Sequence, residues 1–429
     1  MQHIVVAVVV AVVYGALARV SAAVAYAPTI AWTVWLASGA LLGLLLAAKR
    51  ARWGAILAGG FVGAAGFTLY LGSPVLDALA SGGCEVISSV GAALVVSRLA
   101  ALPLRLESAR ELAALIFGGA LSQALLGALI ATAWHAATGG DMPGTTFRLW
   151  VLSNFIGTLL VAPMFVAWAQ FRVRRSGGMT MPAFAAGAVA CALFLVSLQL
   201  LFDASPDSGL GGVAGRTLTY VPIVFMALVA LLWGTRGATL AAFAGALITM
   251  VNTAQGQGPF AGIEGYLGEP VLEVEGYALA LALTGLLIAV LVASQRGAMR
   301  VARDWQTRFE AAIGAHRLLA YEWDPVSNRI VATGDSTQLV GVPSARIATL
   351  ADWLALVAAD DRDRVAARFD ERVRGRGEAD TMTYLVAGPG GVMLAATDEA
   401  RVIRDHDGAL HRVVGIVRVA ATPTAGAGQ

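Results

Sequence analysis

The chain reads as a polytopic α-helical membrane domain of about ten spans, followed by a smaller cytoplasmic α+β domain with an antiparallel sheet. Three observations predict this. Of 429 residues, 58% are apolar and 14% charged, with a mean hydropathy of +0.72; a soluble domain carries about 25% charged residues. The charges are also unevenly placed, with 24 Asp, Glu, Lys and Arg in residues 1–295 and 34 in residues 296–429. Beyond residue 317, short alternating runs are separated by Pro, Gly and Asp turns. This composition excludes a soluble enzyme and a disordered chain. A net charge of +2 gives no electrostatic case for nucleic acid. Cys84 and Cys191 both stand in apolar runs and build neither a zinc site nor a disulfide framework.

A span needs about 20 mostly apolar residues. Ten segments qualify, at about 4–26, 30–48, 53–72, 83–100, 111–135, 147–170, 183–202, 217–234, 237–254 and 275–295. Lys49, Arg50 and Arg52 follow the second; Arg98, Arg105 and Arg110 the fourth; Arg172, Arg174 and Arg175 the sixth. Arg236 separates the eighth from the ninth, and Arg296, Arg300 and Arg303 follow the tenth. The opposite connections carry Asp77, Asp141, Asp203, Asp207, Glu264, Glu269 and Glu273. The positive-inside rule places the arginine-rich loops, both termini and the charged domain in the cytoplasm. The first span contains Arg19, which needs a partner or a route to the interface. Its rival reading is a signal peptide cleaved near Ala25, Tyr26 and Ala27, but the segment before it lacks Lys and Arg. No long-period or inverted repeat is evident.

Several phrases in this half carry a resemblance. Trp32, Trp35, Ser38 and Gly39 precede the basic 49–52 segment, and Gly82, Gly83, Cys84 and Glu85 open the fourth span. Leu149, Trp150, Ser153, Asn154, Gly157 and Pro163 fill the sixth. Trp233, Gly234, Arg236 and Gly237 come next, then Gln255, Gln257, Gly258, Pro259 and Phe260. In order and spacing, residues 1–297 resemble the bacterial membrane-associated sensor domain, class one of the MASE series. Asn154 stands where that family usually has an acidic residue. The resemblance implies the input half of a histidine kinase or cyclic-di-GMP enzyme, and names no stimulus.

Residues 298–317 form a connector, with Val301, Trp305, Phe309 and Ala312 at helical spacing. If continuous with the tenth span, it can transmit a rotation or register shift. Strands are expected at 318–324 and 329–333, helix at 350–356 and 359–374, then strands at 380–387, 392–403 and 410–419. Trp323 and Asp324, Leu339 and Gly341, Asp360 to Arg362, and Asp407 with Gly408 and Gly415 resemble a PAS domain over 318–420. Three features depart from that pattern. Ala358 and Ala359 replace its His-Pro, Leu394 or a neighbour replaces an aromatic, and Arg418, Val419 and Ala420 replace its terminal Asp-Ile-Thr. Residues 421–429 read as a disordered tail.

Polar groups inside the spans are the functional candidates, since each is costly unless used or paired. Glu85 is either a ligand or proton contact within the bundle, or an interfacial carboxylate favoured by a helix N-terminus. Asn154 and Asn252 read as ligand contacts or as glue between helices. Trp35, like Trp32 and Trp150, reads as cage or interface anchor. His135 reads as a solvated residue at the outer edge of span five. Gly139 to Pro143 only superficially resembles a cyclase motif, and Gly209 to Gly212 lacks the strand–turn–helix unit of a nucleotide fingerprint. No kinase phosphoacceptor helix or ATP-binding block follows, so no catalysis is expected of this polypeptide. No metal and no cofactor are expected. The absence of cysteine from 296–429 excludes a flavin–thiol adduct, and His316, His406 and His411 read as surface residues, not haem ligands.

The expectation is a sensor of the bacterial inner membrane whose bundle shifts the connector and the PAS arrangement. Its expected partners are the lipid bilayer, a second copy in a homodimer, and a separate histidine kinase or cyclic-di-GMP enzyme, with no nucleic acid. The alternatives are a small-molecule transporter with a regulatory PAS domain, or the remnant of a longer kinase or cyclase. Sparse buried charge argues against an ion-coupled carrier.

Overall fold

The computed structural model describes residues 1–25, 34–139, 143–169, 180–205, 208, 213–261, 269–315, 318–374, 380–404 and 410–420. They divide into two compact units, Met1–Gly297 and Ala298–Gln429. The first unit is helical: α1 Gln2–Ala23, α2 Leu36–Ala47, α3 Trp53–Tyr70, α4 Val75–Leu99, α5 Ala109–Ala113, α6 Ser122–Ala137, α7 Pro143–Ala169, α8 Met181–Phe202, α9 Val213–Leu218, α10 Tyr220–Ala254 and α11 Glu269–Ala315. A π-helical stretch, Ala114–Leu121, joins α5 to α6.

Among the described residues, eight helices are long and apolar enough to cross a membrane, against the ten spans expected. Two segments account for the difference. The second span is only the 12-residue α2: Val34 and Trp35 are not helical, and residues 30–33 lie outside the described residues. Spans eight and nine are both within α10, whose 35 residues would extend about 52 Å as one rod, against a hydrocarbon core of about 30 Å. Gly234 resolves the mismatch: its φ of +65° and ψ of −156° break the helix. Without a Cβ, glycine adopts this conformation at little cost.

The helices pack through small residues. Hydrophobic burial cannot drive association between helices in lipid, so close backbone approach must. Gly39 and Gly43, one turn apart on α2, face Gly157, Thr158 and Ala162 of α7. A Cβ on Gly157 would lie 2.1 Å from the Trp35 carbonyl oxygen. The Trp35 amide donates to the Ser153 carbonyl at 3.0 Å, tying the start of α2 to α7. Helix α1 is an integral member: its Tyr14 is 1% exposed and packs against Gly63 of α3. Arg19 finds a partner in the Tyr70 ring, 5.3 Å from its guanidinium carbon.

The second unit holds five antiparallel strands in the order β2-β1-β5-β4-β3. They are β1 Leu318–Asp324, β2 Arg329–Thr333, β3 Asp380–Ala387, β4 Met393–Arg404 and β5 Leu410–Val419. Helices α12 Ser336–Val340, α13 Leu350–Leu356 and α14 Ala359–Arg374 lie between β2 and β3 in sequence; α12 is absent from the sequence expectation. Alternation on β1 buries Leu319, Tyr321 and Trp323. Thr349 and Asp352 form a reciprocal capping box at the start of α13. The chain is thus a polytopic helical membrane unit followed by an α+β unit with an antiparallel sheet.

Candidate functional site

The close approach of α2 and α7 creates a buried polar network in the membrane unit. Ser38 stands at its centre. Its Oγ lies 2.7 Å from Glu85 Oε1 and 2.8 Å from Asn154 Oδ1. Trp35 Nε1 donates to Glu85 Oε1 at 3.1 Å and lies 3.4 Å from the Tyr14 hydroxyl. Asn154 Nδ2 donates to the Trp150 carbonyl one turn earlier, at 3.0 Å. Beside this, Gln123 of α6 donates to the Ser38 carbonyl and to Ser89 Oγ, and accepts from Thr158 Oγ1. Five helices therefore meet through one set of hydrogen bonds.

Glu85 does not stand at a helix N-terminus, as one of the two sequence readings had it. Helix α4 begins at Val75, so Glu85 lies about 15 Å inside it, beyond the first turn where the helix dipole acts. It is 6% exposed and its Oε2 has no hydrogen-bond partner. The Ser38 hydroxyl has one hydrogen and two acceptors in reach. The chain balances with a proton on Glu85, which then donates to Ser38 while Ser38 donates to Asn154. Turning the Asn154 amide over would instead set its Oδ1 against the Trp150 carbonyl oxygen, two acceptors with no hydrogen between them.

Next to the network lies a cavity of about 1070 Å³. Trp35, Trp134, Trp150, Phe67, Ser153 and Asn154 line it, with Asp77 and His135 among the polar groups. Trp134 Nε1 donates to Asp77 Oδ1 at 3.0 Å. The Ser153 hydroxyl is buried and has no partner. The cavity borders the end of α3 and the start of α4 and the end of α6, away from the basic 49–52 and 98–110 segments. Trp35 and Asn154 face this space, and Glu85 sits behind Trp35 through its hydrogen bond. His135 is exposed there. Asn252 belongs elsewhere: its Nδ2 donates to the Ile248 carbonyl of its own helix, and it does not line the cavity. Trp32 lies outside the described residues.

Tyr14, Ser38, Gln123, Asp77 and Trp134 were missed as site residues by the sequence reading. Gln123 carried a usable signal, an amide within an apolar span. Ser38 and Tyr14 carried none, because serine and tyrosine are ordinary in membrane helices.

The C-terminal unit has its own buried polar cluster. Arg372 of α14 donates to Asp380 Oδ2 at 3.0 Å, to Asp398 Oδ2 at 2.9 Å and to the Tyr321 hydroxyl at 3.0 Å. Tyr321 in turn donates to Asp398. Burial pushes the Asp398 carboxyl up, and Arg372 offsets only part of that. For Asp380, partial burial also disfavours the charge, but the guanidiniums of Arg368 and Arg372 outweigh it and hold the carboxyl below the usual range. The adjoining interior is filled by Tyr321, Trp353, Phe369 and aliphatic neighbours, leaving a space of about 10 Å³. That is about one water, far below the roughly 300 Å³ at which ligand pockets begin. His411 is exposed; His316, His406, and the Gly140–Met142 and Gly209–Gly212 loop motifs lie outside the described residues. No group of three or more His, Cys, Asp or Glu capable of holding a metal ion occurs among the described residues.

Among curated proteins none matches this chain. Two solved structures are similar to part of this chain. The N-terminal domain of a diguanylate cyclase with PAS/PAC sensor from Marinobacter aquaeolei is 16% identical, covering 24% of this chain and 94% of that one, with a TM-score of 0.23. A sensory box histidine kinase/response regulator from Burkholderia thailandensis E264 is 19% identical, covering 26% and 83%, with a TM-score of 0.22. The membrane unit, with its interlocked glycine faces and its Glu85 network, coincides with a match of the MASE1 family model over residues 6–296, and the chain belongs to the MASE1 family.

Proposed function

We propose that this chain is a multi-pass sensor of the bacterial inner membrane, with both termini in the cytoplasm. It takes a stimulus at the cavity beside Glu85 and passes it through α11 to a cytoplasmic PAS-type relay. Output lies in a partner protein, a histidine kinase or a cyclic-di-GMP enzyme, and the chain itself catalyses nothing. The observation that supports this most is α11, a 47-residue helix that holds both the last apolar span and the connector. A continuous helix is stiff enough to carry a rotation or a register shift along its length. On its connector portion Val301, Trp305 and Phe309 are exposed, which suits pairing with a second copy of the chain or with a partner helix.

The experiment is affinity purification from native membranes, comparing the full-length protein with a 1–298 truncation, followed by mass spectrometry. The expected result is a kinase or cyclase retained by the full-length protein alone. Equal recovery from both forms, or no specific partner, overturns output through the C-terminal unit.

A further inference from the structure

We propose that the membrane cavity is a receptor site for an organic cation, an amine or quaternary ammonium with an apolar body. The inference rests on the sensing reading above and adds the chemical class of its ligand. Two tryptophans on the cavity wall each donate their indole N–H to a carboxyl group: Trp35 to Glu85 at 3.1 Å and Trp134 to Asp77 at 3.0 Å. An indole is the side chain whose face attracts a cation most strongly. A carboxyl acceptor at its N–H polarises the ring further in the same sense. Trp150 and Phe67 add two more aromatic walls.

The charge balance points the same way. Asp77 lines the cavity, and no Lys or Arg does among the described residues. An anionic ligand would meet Asp77 and ring faces with no permanent cation on the wall, which burial makes costly. A purely apolar ligand would leave the buried Ser153 hydroxyl without a partner. A cation satisfies the ring faces and Asp77 together, and one carrying N–H groups also gives the hydroxyl a partner. At about 1070 Å³ the cavity has room for a drug-sized molecule. Because Glu85 hydrogen-bonds one of the cage indoles and reaches Ser38 and Asn154, occupancy acts on the network that joins α1, α2, α4 and α7.

The test uses full-length protein in nanodiscs and three aqueous probes of similar size: benzyltrimethylammonium, benzyl alcohol and benzoate. Binding is read by calorimetry and by tryptophan fluorescence. The expected result is saturable binding of the ammonium probe alone, weakened about tenfold or more by Asp77→Asn and by Trp134→Phe. Asp77 is partly exposed, so its variant keeps the fold; thermal unfolding checks this for both. Binding of benzoate or benzyl alcohol at equal strength overturns the cation class, as does ammonium binding that neither variant changes. Absence of binding by all three overturns it too. None of these outcomes bears on partner retention, which uses no ligand, so the sensing reading stands or falls separately.

Discussion

Ser38 has the hardest role of any residue here, because its one hydroxyl links Glu85 to Asn154. Ser38→Ala leaves Glu85 Oε1 without this contact and Asn154 Oδ1 without a donor. The expected cost is about 1–2 kcal/mol, read as a lowered unfolding temperature of the detergent-solubilised protein; an unchanged midpoint would mean the network carries little energy. In the C-terminal unit the corresponding residue is Arg372, 3% exposed on its side chain against 79% for Arg374 two positions on. Arg372→Met strands Asp398 in the core and is expected to cost about 3–5 kcal/mol. Arg374→Met is expected to stay within about 0.5 kcal/mol. Equal effects in chemical unfolding would rule out a structural ion pair. The identities of Glu85, Asn154 and Trp35 as candidates were legible because polar and amphipathic groups stand out in an apolar span. Their joining through Ser38 was not, since it depends on which helices touch.

At the scale of elements, the contact between α2 and α7 decides whether the site exists. Gly157→Ala places a Cβ against the Trp35 carbonyl, so the helices must part. The expected cost is about 1–3 kcal/mol, with loss of the Trp35 amide bond to Ser153. Gly66 of α3 is the control, since a Cβ there meets nothing within 4 Å; Gly66→Ala is expected to be neutral or to stabilise by up to about 1 kcal/mol. Comparable destabilisation by both would show that the α2–α7 contact is not what makes Gly157 sensitive. Strand and helix positions in the C-terminal unit followed from alternation and turn residues, because each such signal is local. Helix α12 escaped because five residues are too few to show a period, and its Asp335 cap resembles an ordinary turn.

At the scale of the molecule, the two units respond to different variables. The C-terminal unit is expected to be acid-sensitive. Hydrogen bonds from Ser327 and Val326 to Asp324, from Thr349 to Asp352, and from Leu385 and Arg364 to Asp361 hold these carboxyls below the usual range, as Asp380 is held by its arginines. A lowered folded-state pKa contributes stability above the ordinary carboxylate range that is lost as pH falls through the folded value. Asp398, raised by burial, acts oppositely: its contribution weakens as pH rises above the ordinary value. With four groups lowered against one raised, stability is expected to fall as pH drops below about 4. Asp352→Asn is expected to flatten that slope. Thermal unfolding of the full chain between pH 6 and pH 3, followed by near-ultraviolet circular dichroism, reads both. A slope of opposite sign would mean the buried Asp398 dominates.

The sequence by itself determined that this chain enters a membrane, roughly where its apolar segments run, where the charged unit begins, and which polar residues are conspicuous. These are properties of composition and local periodicity, which need no knowledge of neighbours. Only the tertiary structure decided that Gly234 divides one long helix, that Glu85 lies deep in its helix, and that two tryptophan–carboxyl pairs flank one cavity. Such facts depend on contacts between residues such as Trp35 and Glu85 or Trp134 and Asp77, dozens of positions apart. Those contacts are set by backbone approach at glycines whose role a single sequence does not display.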